Sequence, residues 1–202
     1  MTWHVVHLKD AAPSPWKNGG GITRELVAWP KAADWLWRMS VADVTQSGPF
    51  SRFDGIERWF AVLEGDGVAL STDGKRYLLT EDSAPLRFDG SSATGCELLG
   101  GPTRDFNLMT RHGAATATMT RVKGLLALPV NATEIIAIYS IPAGTSVLFD
   151  ADPFVQKAHS LVWQLAECDA VLDVVAEQAL VIRVALTSAV LNVHANPAKE
   201  AT

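Results

Sequence analysis

Eleven residues near the N-terminus, PWKNGGGITRE, carry the densest group of chemically useful side chains in the sequence. Lys17 and Asn18 precede three consecutive glycines, and Arg24 and Glu25 follow them. Glycine lets the backbone turn sharply and approach other groups closely. A turn of this kind that delivers polar groups to the start of a strand suits the mouth of a small-molecule pocket. An ordinary glycine-rich hairpin with solvated charges is the alternative.

Other polar candidates lie inside otherwise apolar strands. Strand alternation places Arg38 and Ser40 on one face of a strand, and it places Asp105 and Asn107 together on another. It also places Arg58 on a face that carries apolar residues. A buried guanidinium needs a partner, because an uncompensated charge is expensive to desolvate. The sequence therefore predicts the following ligand-binding residues: Lys17, Asn18, Arg24, Arg38, Ser40, Arg58 and Asn107.

Each of these assignments has a structural alternative. Arg58 either captures a ligand carboxylate through two hydrogen bonds or forms a permanent ion pair with Glu25 or Asp105. Arg24 and Arg38 are open to pairing with Glu25 or with a backbone carbonyl group. Asn18 is a residue type that also caps glycine turns. If the protein is an enzyme, Glu25 and Asp105 are the candidate general bases.

The histidines and cysteines give no support for a metal site. The five histidines show neither His-x-His nor His-Glu-x-x-His spacing, and the two cysteines, Cys96 and Cys168, are far apart. The segment Gly48–Ser51 also lacks the glycine spacing of a serine nucleophile elbow. We therefore expect no metal and no cofactor, and we expect Cys96 to be an inert buried thiol.

Short alternating segments separated by glycine, proline and aspartate must position these residues. They predict strands throughout the chain, and helical periodicity is confined to one turn at Pro153–Ala158. The predicted strands are Trp3–Leu8, Ile22–Trp29, Trp35–Val44, Arg58–Glu64, Gly67–Thr72, Arg76–Thr80, Cys96–Leu99, Phe106–Arg111, Met119–Val122, Glu134–Ile141, Ser146–Phe149, Val162–Leu165, Ala170–Val175, Leu180–Leu186 and Ala189–His194. So many short strands favour an all-β sandwich or barrel.

Composition narrows the class of protein. The chain has 202 residues, of which 48% are hydrophobic and 19% charged, with a formal net charge of -5. This charge, without a basic stripe, argues against a nucleic-acid partner. The longest apolar segment, Ala179–Leu186, is too short to span a bilayer. With no signal-peptide pattern and only two cysteines, we expect a cytoplasmic protein without a membrane partner.

The segment RWFAVLEGDG, residues 58–67, resembles the end of the first cupin motif. In cupin enzymes a glutamate and a His-x-His pair precede this turn and hold a metal ion. The glutamate position falls on Arg58 here, and the histidine positions fall around Ser51 to Asp54. Arginine cannot coordinate a divalent metal. A cupin pocket with this sequence would have lost the metal and gained a receptor for an anion.

Three blocks resemble the HutD/Ves family of bicupin proteins: PWKNGGGITRE at 15–25, WRMSVADVTQSGPFSRFDGIER at 37–58 and GGPTRDFNLMTR at 100–111. The resemblance implies an all-β bicupin of two packed cupin-type jelly-roll barrels. We divide the chain into residues 1–115, with the pocket, and residues 116–202. The resemblance also implies a link to histidine utilisation or environmental stress, with formylated glutamate or urocanate as candidate ligands.

These observations together predict a metal-independent protein that binds a small carboxylate-bearing metabolite, with Phe60, Trp37 and Met109 as apolar walls of the pocket. Two alternatives stay open. One is a metal-free isomerase, lyase or amide hydrolase that uses Glu25 or Asp105. The other is an interaction protein whose exposed edge strands form a homodimer or dock a partner.

Overall fold

The computed structural model describes residues 3–150, 152–188 and 190. Strands dominate these residues, and a short 3-10 helix lies at Leu8–Asp10. The strands are β1 (His4–His7), β2 (Pro13–Pro15), β3 (Gly21–Trp29), β4 (Trp37–Val44), β5 (Gly48–Pro49), β6 (Ile56–Glu64), β7 (Val68–Thr72), β8 (Lys75–Leu79), β9 (Leu86–Asp89), β10 (Gly95–Leu98), β11 (Thr103–Arg111), β12 (Ala115–Val130), β13 (Glu134–Ser140), β14 (Thr145–Phe149), β15 (Asp152–Gln156), β16 (Ser160–Leu165) and β17 (Ala170–Leu186). Within the described ranges, none of the helical segments has the length and hydropathy needed to cross a membrane.

Residues 6–111 form one compact unit with two antiparallel sheets. One sheet has the strand order β2-β3-β4-β11-β6-β9, and the other has the order β5-β10-β7-β8. Phe60 and Val62 of the first sheet belong to the same buried cluster as Val68, Leu70 and Cys96 of the second. The apolar faces of the two sheets therefore pack against each other. The buried polar residues Ser40, Arg58 and Asn107 are exceptions in this apolar environment.

The described residues beyond 111 form a second unit, with which Trp3–Val5 also group. Its sheet has the order β1-β16-β13-β17-β14-β15, and β12 pairs with β17 along almost its whole length. The first half of β17 pairs with β14, and the second half pairs with β13. The sheet thereby curls around a core that includes Ile136, Phe149 and Val174.

The structure confirms the all-β prediction and most of the predicted strands. The helical turn predicted at Pro153–Ala158 is wrong, because Asp152–Gln156 pairs with β14 as an edge strand. The strands predicted at 170–175 and 180–186 are one continuous strand, β17. The sequence analysis missed β2, β5 and β9, and the predicted strand Ala189–His194 lies almost wholly outside the described residues.

The predicted domains, residues 1–115 and 116–202, differ from these two units in two respects. The observed division falls after Arg111, and the segment at 3–5 groups with the second unit rather than the first. The identity of each half as a separate cupin barrel stays a prediction.

Candidate ligand-binding site

A cavity of about 490 Å³ lies within the unit formed by residues 6–111. Its walls come from the inward faces of β3, β4, β6 and β11, from the loop before β3 and from the segment around β5. A volume of this size suits a small metabolite. The lining residues are Pro15, Trp16, Lys17, Asn18, Thr23, Arg38, Ser40, Ala42, Val44, Pro49, Phe50, Ser51, Phe53, Arg58, Phe60, Asn107 and Met109.

The register of the six-stranded sheet brings two arginines to the same wall. Met109 on β11 is paired with Arg38 on β4 and with Arg58 on β6. Since neighbouring strands lie about 4.8 Å apart, the two arginine backbones are separated by roughly 10 Å. In the adjacent row, Asn107 lies between Ser40 and Phe60. The wall is thus cationic, with amide and hydroxyl groups beside the cations.

Arg58 is almost completely buried, with 5% of its surface exposed. Its Nη2 donates a hydrogen bond to Asn107 Oδ1 at 3.0 Å, and its Nη1 donates a longer one to the carbonyl oxygen of Ser51 at 3.4 Å. Its Nε has no hydrogen-bond partner within the described part of the chain. Among the described residues, no carboxylate oxygen lies within 4 Å of this guanidinium group. The predicted alternative, a permanent ion pair with Glu25 or Asp105, is therefore not formed.

Three phenylalanine rings surround the guanidinium group of Arg58. The ring centroids of Phe50, Phe53 and Phe88 lie 5.2, 5.6 and 5.1 Å from its central carbon. Aromatic faces attract a cation, although more weakly than a carboxylate does. The rings therefore contact the cation of Arg58 but do not neutralise its charge.

Burial, assisted by the positive charge of Arg38, lowers the pKa of Arg58 to about 10. This value is still well above neutral pH, so the side chain stays protonated. A protonated guanidinium that faces a cavity lined mostly by apolar groups creates a strong local attraction for an anion.

Arg38, the second cation of the wall, is partly committed to another residue. Its Nε lies 2.7 Å from Glu25 Oε2, which is an ion-pair distance, although the N–H does not point along a hydrogen bond. Glu25 itself does not line the cavity. The charge of Arg38 is therefore shared with Glu25, whereas Arg58 has no carboxylate partner among the residues that the structure describes.

The glycine-rich loop forms part of the cavity wall. Trp16 Nε1 donates a hydrogen bond to Thr23 Oγ1 at 2.8 Å, and the Trp16 ring meets Phe50 edge to face. Asn18 Oδ1 accepts a hydrogen bond from the backbone N–H of Gly20 at 3.1 Å, so this residue caps the turn. Lys17 and Asn18 are exposed and lie at the cavity mouth.

Gly21 is required where this loop enters β3. A Cβ atom at this position would lie 2.6 Å from the backbone oxygen of Asp43 and 3.1 Å from the Trp16 ring. We expect Gly21→Ala to lower the free energy of unfolding by about 1–3 kcal/mol, as measured by urea denaturation. Gly48→Ala is the matched control, because its Cβ would meet no atom within 4 Å. Equal stability of the two variants would contradict this account of the loop.

Three of the predicted residues do not line the cavity. Arg24 lies on the opposite face of β3 and forms an ion pair with Asp43, which also pairs with Arg104. Glu25 pairs with Arg38, as described above. Asp105 is fully buried on the cavity-facing side of β11, but Asn107 and Met109 on that side line the cavity and Asp105 does not.

Asp105 has an unusual environment for an acid. Its Oδ2 accepts a hydrogen bond from Thr103 Oγ1 at 2.9 Å, and its Oδ1 has no hydrogen-bond partner in residues 3–150, 152–188 and 190. Among the described residues, no lysine or arginine nitrogen lies within 4 Å of it. Burial, together with the negative charge of Asp43, raises the pKa of Asp105 to about 8, even though the Thr103 hydrogen bond acts in the other direction.

Several cavity residues were missed in the sequence analysis, and one expected wall residue is absent. Thr23, Phe50 and Phe53 line the cavity but were not predicted to do so, and the alternation of β3 was the one available signal for Thr23. Trp37 was expected in the apolar wall, but it points away from the cavity and stacks on Trp29 with a centroid distance of 6.3 Å. It is adjacent to Arg38 and so has the opposite strand parity.

The potential metal ligands are scattered. In the part of the chain that the structure describes, no three His, Cys, Asp or Glu side chains are close enough to hold a metal ion. The polar groups that face the cavity are mainly N–H and O–H donors, which suits an anion better than a cation.

Sequence comparison identifies the family. The family model described as HutD matches residues 8–183. A Pseudomonas putida relative, an uncharacterised 21.2 kDa protein in the hutC 3' region, is 43% identical over 109 residues, which cover 52% of this chain and 56% of the relative. Protein Ves from Escherichia fergusonii is 39% identical over 105 residues, which cover 50% and 54%. The matched segment thus spans about half the length of these curated relatives.

Solved structures agree with this assignment. A conserved protein of unknown function from Pseudomonas aeruginosa PAO1 superposes with a TM-score of 0.81 and is 31% identical in sequence. HutD from Pseudomonas fluorescens SBW25 superposes with a TM-score of 0.81 and is 27% identical. Each match covers 93% of this chain and 100% of the other. A cupin 2 conserved barrel protein from Leptotrichia buccalis shares the fold alone, with a TM-score of 0.56 at 8% identity over 91% of this chain and 96% of that one. The chain therefore belongs to the HutD family and has a cupin jelly-roll fold.

Proposed function

We propose that the cavity binds a small metabolite through its carboxylate group, without a metal ion. The observation that carries the proposal is the state of Arg58, a buried cation that faces the cavity and has no anionic partner among the described residues. Leaving such a charge uncompensated is costly. A ligand carboxylate would supply the missing partner and would accept charge-assisted hydrogen bonds.

The remaining lining residues define how such a ligand would lie. Arg58 and Asn107 would hold its carboxylate, with Arg38 and Ser40 within reach on the neighbouring strand. Phe50, which contacts both Phe60 and Trp16, would cover its apolar part. The donors Lys17 and Asn18 at the mouth would bind a second polar group of the ligand.

The relatives suggest which acids to try first. One is named HutD, and another is named from its position beside hutC. Acids of histidine utilisation, formylated glutamate and urocanate among them, are therefore the first probes. A binding protein for such an acid would sense or buffer the level of the metabolite in the cytoplasm, and in this way modulate histidine utilisation.

Calorimetric titration with each acid and with its uncharged amide tests the proposal. We expect the acid to bind and the amide to bind at least about tenfold more weakly, because only the carboxylate compensates the buried charge. Adding EDTA should leave the affinity unchanged. Equal affinities of acid and amide, or binding that requires an added divalent metal, would rule out the proposed mode.

A metal-free enzyme is the second candidate, and Asp105 is the observation that favours it. With a pKa of about 8, this acid is protonated near neutral pH and lies two residues from Asn107 on the same side of β11. A group with such a pKa can act as a general acid. Incubating the protein with the same acids and following products by mass spectrometry separates the candidates, because turnover would indicate an enzyme.

A further inference from the structure

The outward side of the second unit's sheet carries an exposed apolar surface. Its main residues are Leu125, Leu148, Val155, Val171 and Val175, which are 39% to 70% exposed. They account for five of the nine exposed large hydrophobic residues in the described part of the chain. We call this surface the outer apolar face. Single exposed hydrophobic residues are ordinary, but contiguous patches mark interaction sites.

The register shows that the outer apolar face is contiguous. Val155, Ser146, Val175 and Leu125 form one row across β15, β14, β17 and β12. The next row contains Pro153, Leu148, Asp173 and Ala127, and Val171 is paired with Pro129 beyond it. The alternate residues of these strands, such as Val147 and Val174, pack in the core. Apart from Ser146 and Asp173, the residues of these rows are apolar, so this part of the sheet is largely apolar on both sides, which is unusual when one side meets water.

Charges of opposite sign border the two ends of this face along the strand direction. At one end, Asp150 and Asp169 line an open depression together with Leu148 and Val171, and Asp173 of the middle row also lines it. At the other end, Lys123 lies two residues before Leu125, and Lys157 lies two residues after Val155. Glu177 is also at this second end. One end is therefore strongly acidic, and the other has a small net positive charge.

We propose that the outer apolar face is a homodimer interface that packs against the same face of a second copy of this chain. A sheet face covered by valine and leucine side chains packs well on another sheet, at a separation of about 10 Å. The inference is independent of the proposed ligand, because no residue of the face lines the ligand cavity.

The charges select the direction of the two-fold axis. Consider a two-fold axis that lies in the plane of the interface and runs perpendicular to the strands. It makes the strands of the two copies antiparallel, so the acidic end of one copy meets the basic end of the other. It would bring Asp150 near Lys157 of the second copy, because these two residues flank β15 at its opposite ends. An axis parallel to the strands would instead place acid against acid. Like charges in contact disfavour that arrangement.

The size of the face limits the strength of the dimer. Four strands about 4.8 Å apart and about five residues at roughly 3.3 Å each give a projected area of roughly 300 Å² on each copy. Stable complexes bury about 800 Å² on each partner, so this face fits a weak and reversible dimer. Its monomer–dimer equilibrium should therefore depend on protein concentration.

Sedimentation velocity over a dilution series tests the proposal. We expect the wild-type protein to form a dimer that dissociates on dilution, and we expect Leu125→Glu combined with Val175→Glu to weaken it at least about tenfold, because burying unpaired carboxylates is costly. Leu78→Glu on β8 is the matched control, since Leu78 is equally exposed but belongs to the other unit. Circular dichroism spectra and melting temperatures verify that each variant is folded.

A charge exchange tests the axis separately. Lys157→Glu alone should weaken the dimer, and adding Asp150→Lys should restore it. A wild-type protein that is monomeric at every concentration would overturn the proposal. So would a dimer that survives the double glutamate substitution, or one that Leu78→Glu weakens to the same extent.

Discussion

Replacing Arg58 with methionine should reduce the affinity for the acid ligand by about 30-fold or more. Methionine keeps the length of the side chain and removes its charge and donors. Truncating one partner of a buried, hydrogen-bonded charge pair costs roughly 2–5 kcal/mol, and each 1.4 kcal/mol corresponds to about a factor of ten in Kd. Calorimetric titration of the acid that binds the wild-type protein measures the loss directly.

Arg24→Met provides the matched control for this experiment. Arg24 is also a strand arginine in the same unit, but it pairs with Asp43 outside the cavity. We expect its removal to leave the acid affinity within about twofold of the wild-type value. An Arg58→Met variant with wild-type affinity would remove Arg58 from the site. An equal loss in both variants would mean that net charge alone attracts the ligand.

The same substitution separates a binding role from a structural one. Among the described residues, Arg58 has no carboxylate partner, so its removal leaves no buried anion behind. Exchanging a buried charge for an apolar side chain of similar volume is often neutral or stabilising. We therefore expect the ligand-free Arg58→Met protein to be at least as stable as the wild type. An arginine that mainly held the strands together would show a clear loss of stability instead.

Strand alternation in the sequence predicted the cavity wall where the strands are regular. Arg38 and Ser40 share a face because side chains alternate strictly along β4, and Asn107 and Met109 do so on β11. Pairing of these strands then brings the two sets together. Local periodicity therefore identified residues that are distant in the chain but adjacent in the cavity.

Alternation did not reveal which face of β3 points inward, because both of its faces carry polar and apolar residues. The sequence analysis chose Arg24, but the neighbouring strand places Asp43 beside Arg24, and Thr23 on the other face lines the cavity. The rings around Arg58 were missed for a different reason. Phe50 and Phe53 lie in irregular backbone between β5 and β6, where no periodicity fixes the direction of a side chain.

The edge strand β15 shows how local chemistry misled the prediction. The segment DPFVQ is short and contains Pro153, which suggested the start of a helical turn. In the structure Pro153 is exposed on an edge strand, where its missing N–H costs no ladder hydrogen bond. Pairing with β14 outweighed the local preference, and such long-range pairing is not visible in five residues.

Asp105→Asn should stabilise the protein increasingly as the pH rises. The pKa of Asp105 is raised from 3.8 to about 8 in the folded protein, chiefly by burial. The folded state therefore holds a proton that the unfolded state releases between these two values. The stability associated with this proton is fully present below pH 3.8 and is lost as the pH rises through 8. Asparagine has the same shape and does not ionise.

The expected difference in unfolding free energy between variant and wild type is small near pH 4 and grows by about 1.4 kcal/mol for each pH unit until it levels off above pH 8. Urea denaturation at a series of pH values measures it. Asp43→Asn is the control, because the pKa of Asp43 is shifted in the opposite direction. Burial alone would raise the pKa of Asp43, but hydrogen bonds from Arg104 and Arg24 outweigh burial and lower that pKa. The stability that Asp43 contributes is present above its ordinary pKa and is lost as the pH falls through the lowered value.

If the cavity binds an acid as proposed, we expect Asp105 to link stability to ligand binding, because it lies on the cavity-facing side of β11, two residues from Asn107. An anion bound at Arg58 would disfavour a second negative charge nearby and keep Asp105 protonated. The wild-type affinity for the acid should therefore fall above pH 8, and the affinity of Asp105→Asn should not. If the difference in stability between the two proteins does not change with pH, Asp105 is already ionised in the folded protein at these pH values. Its protonation would then not be coupled to binding of the acid.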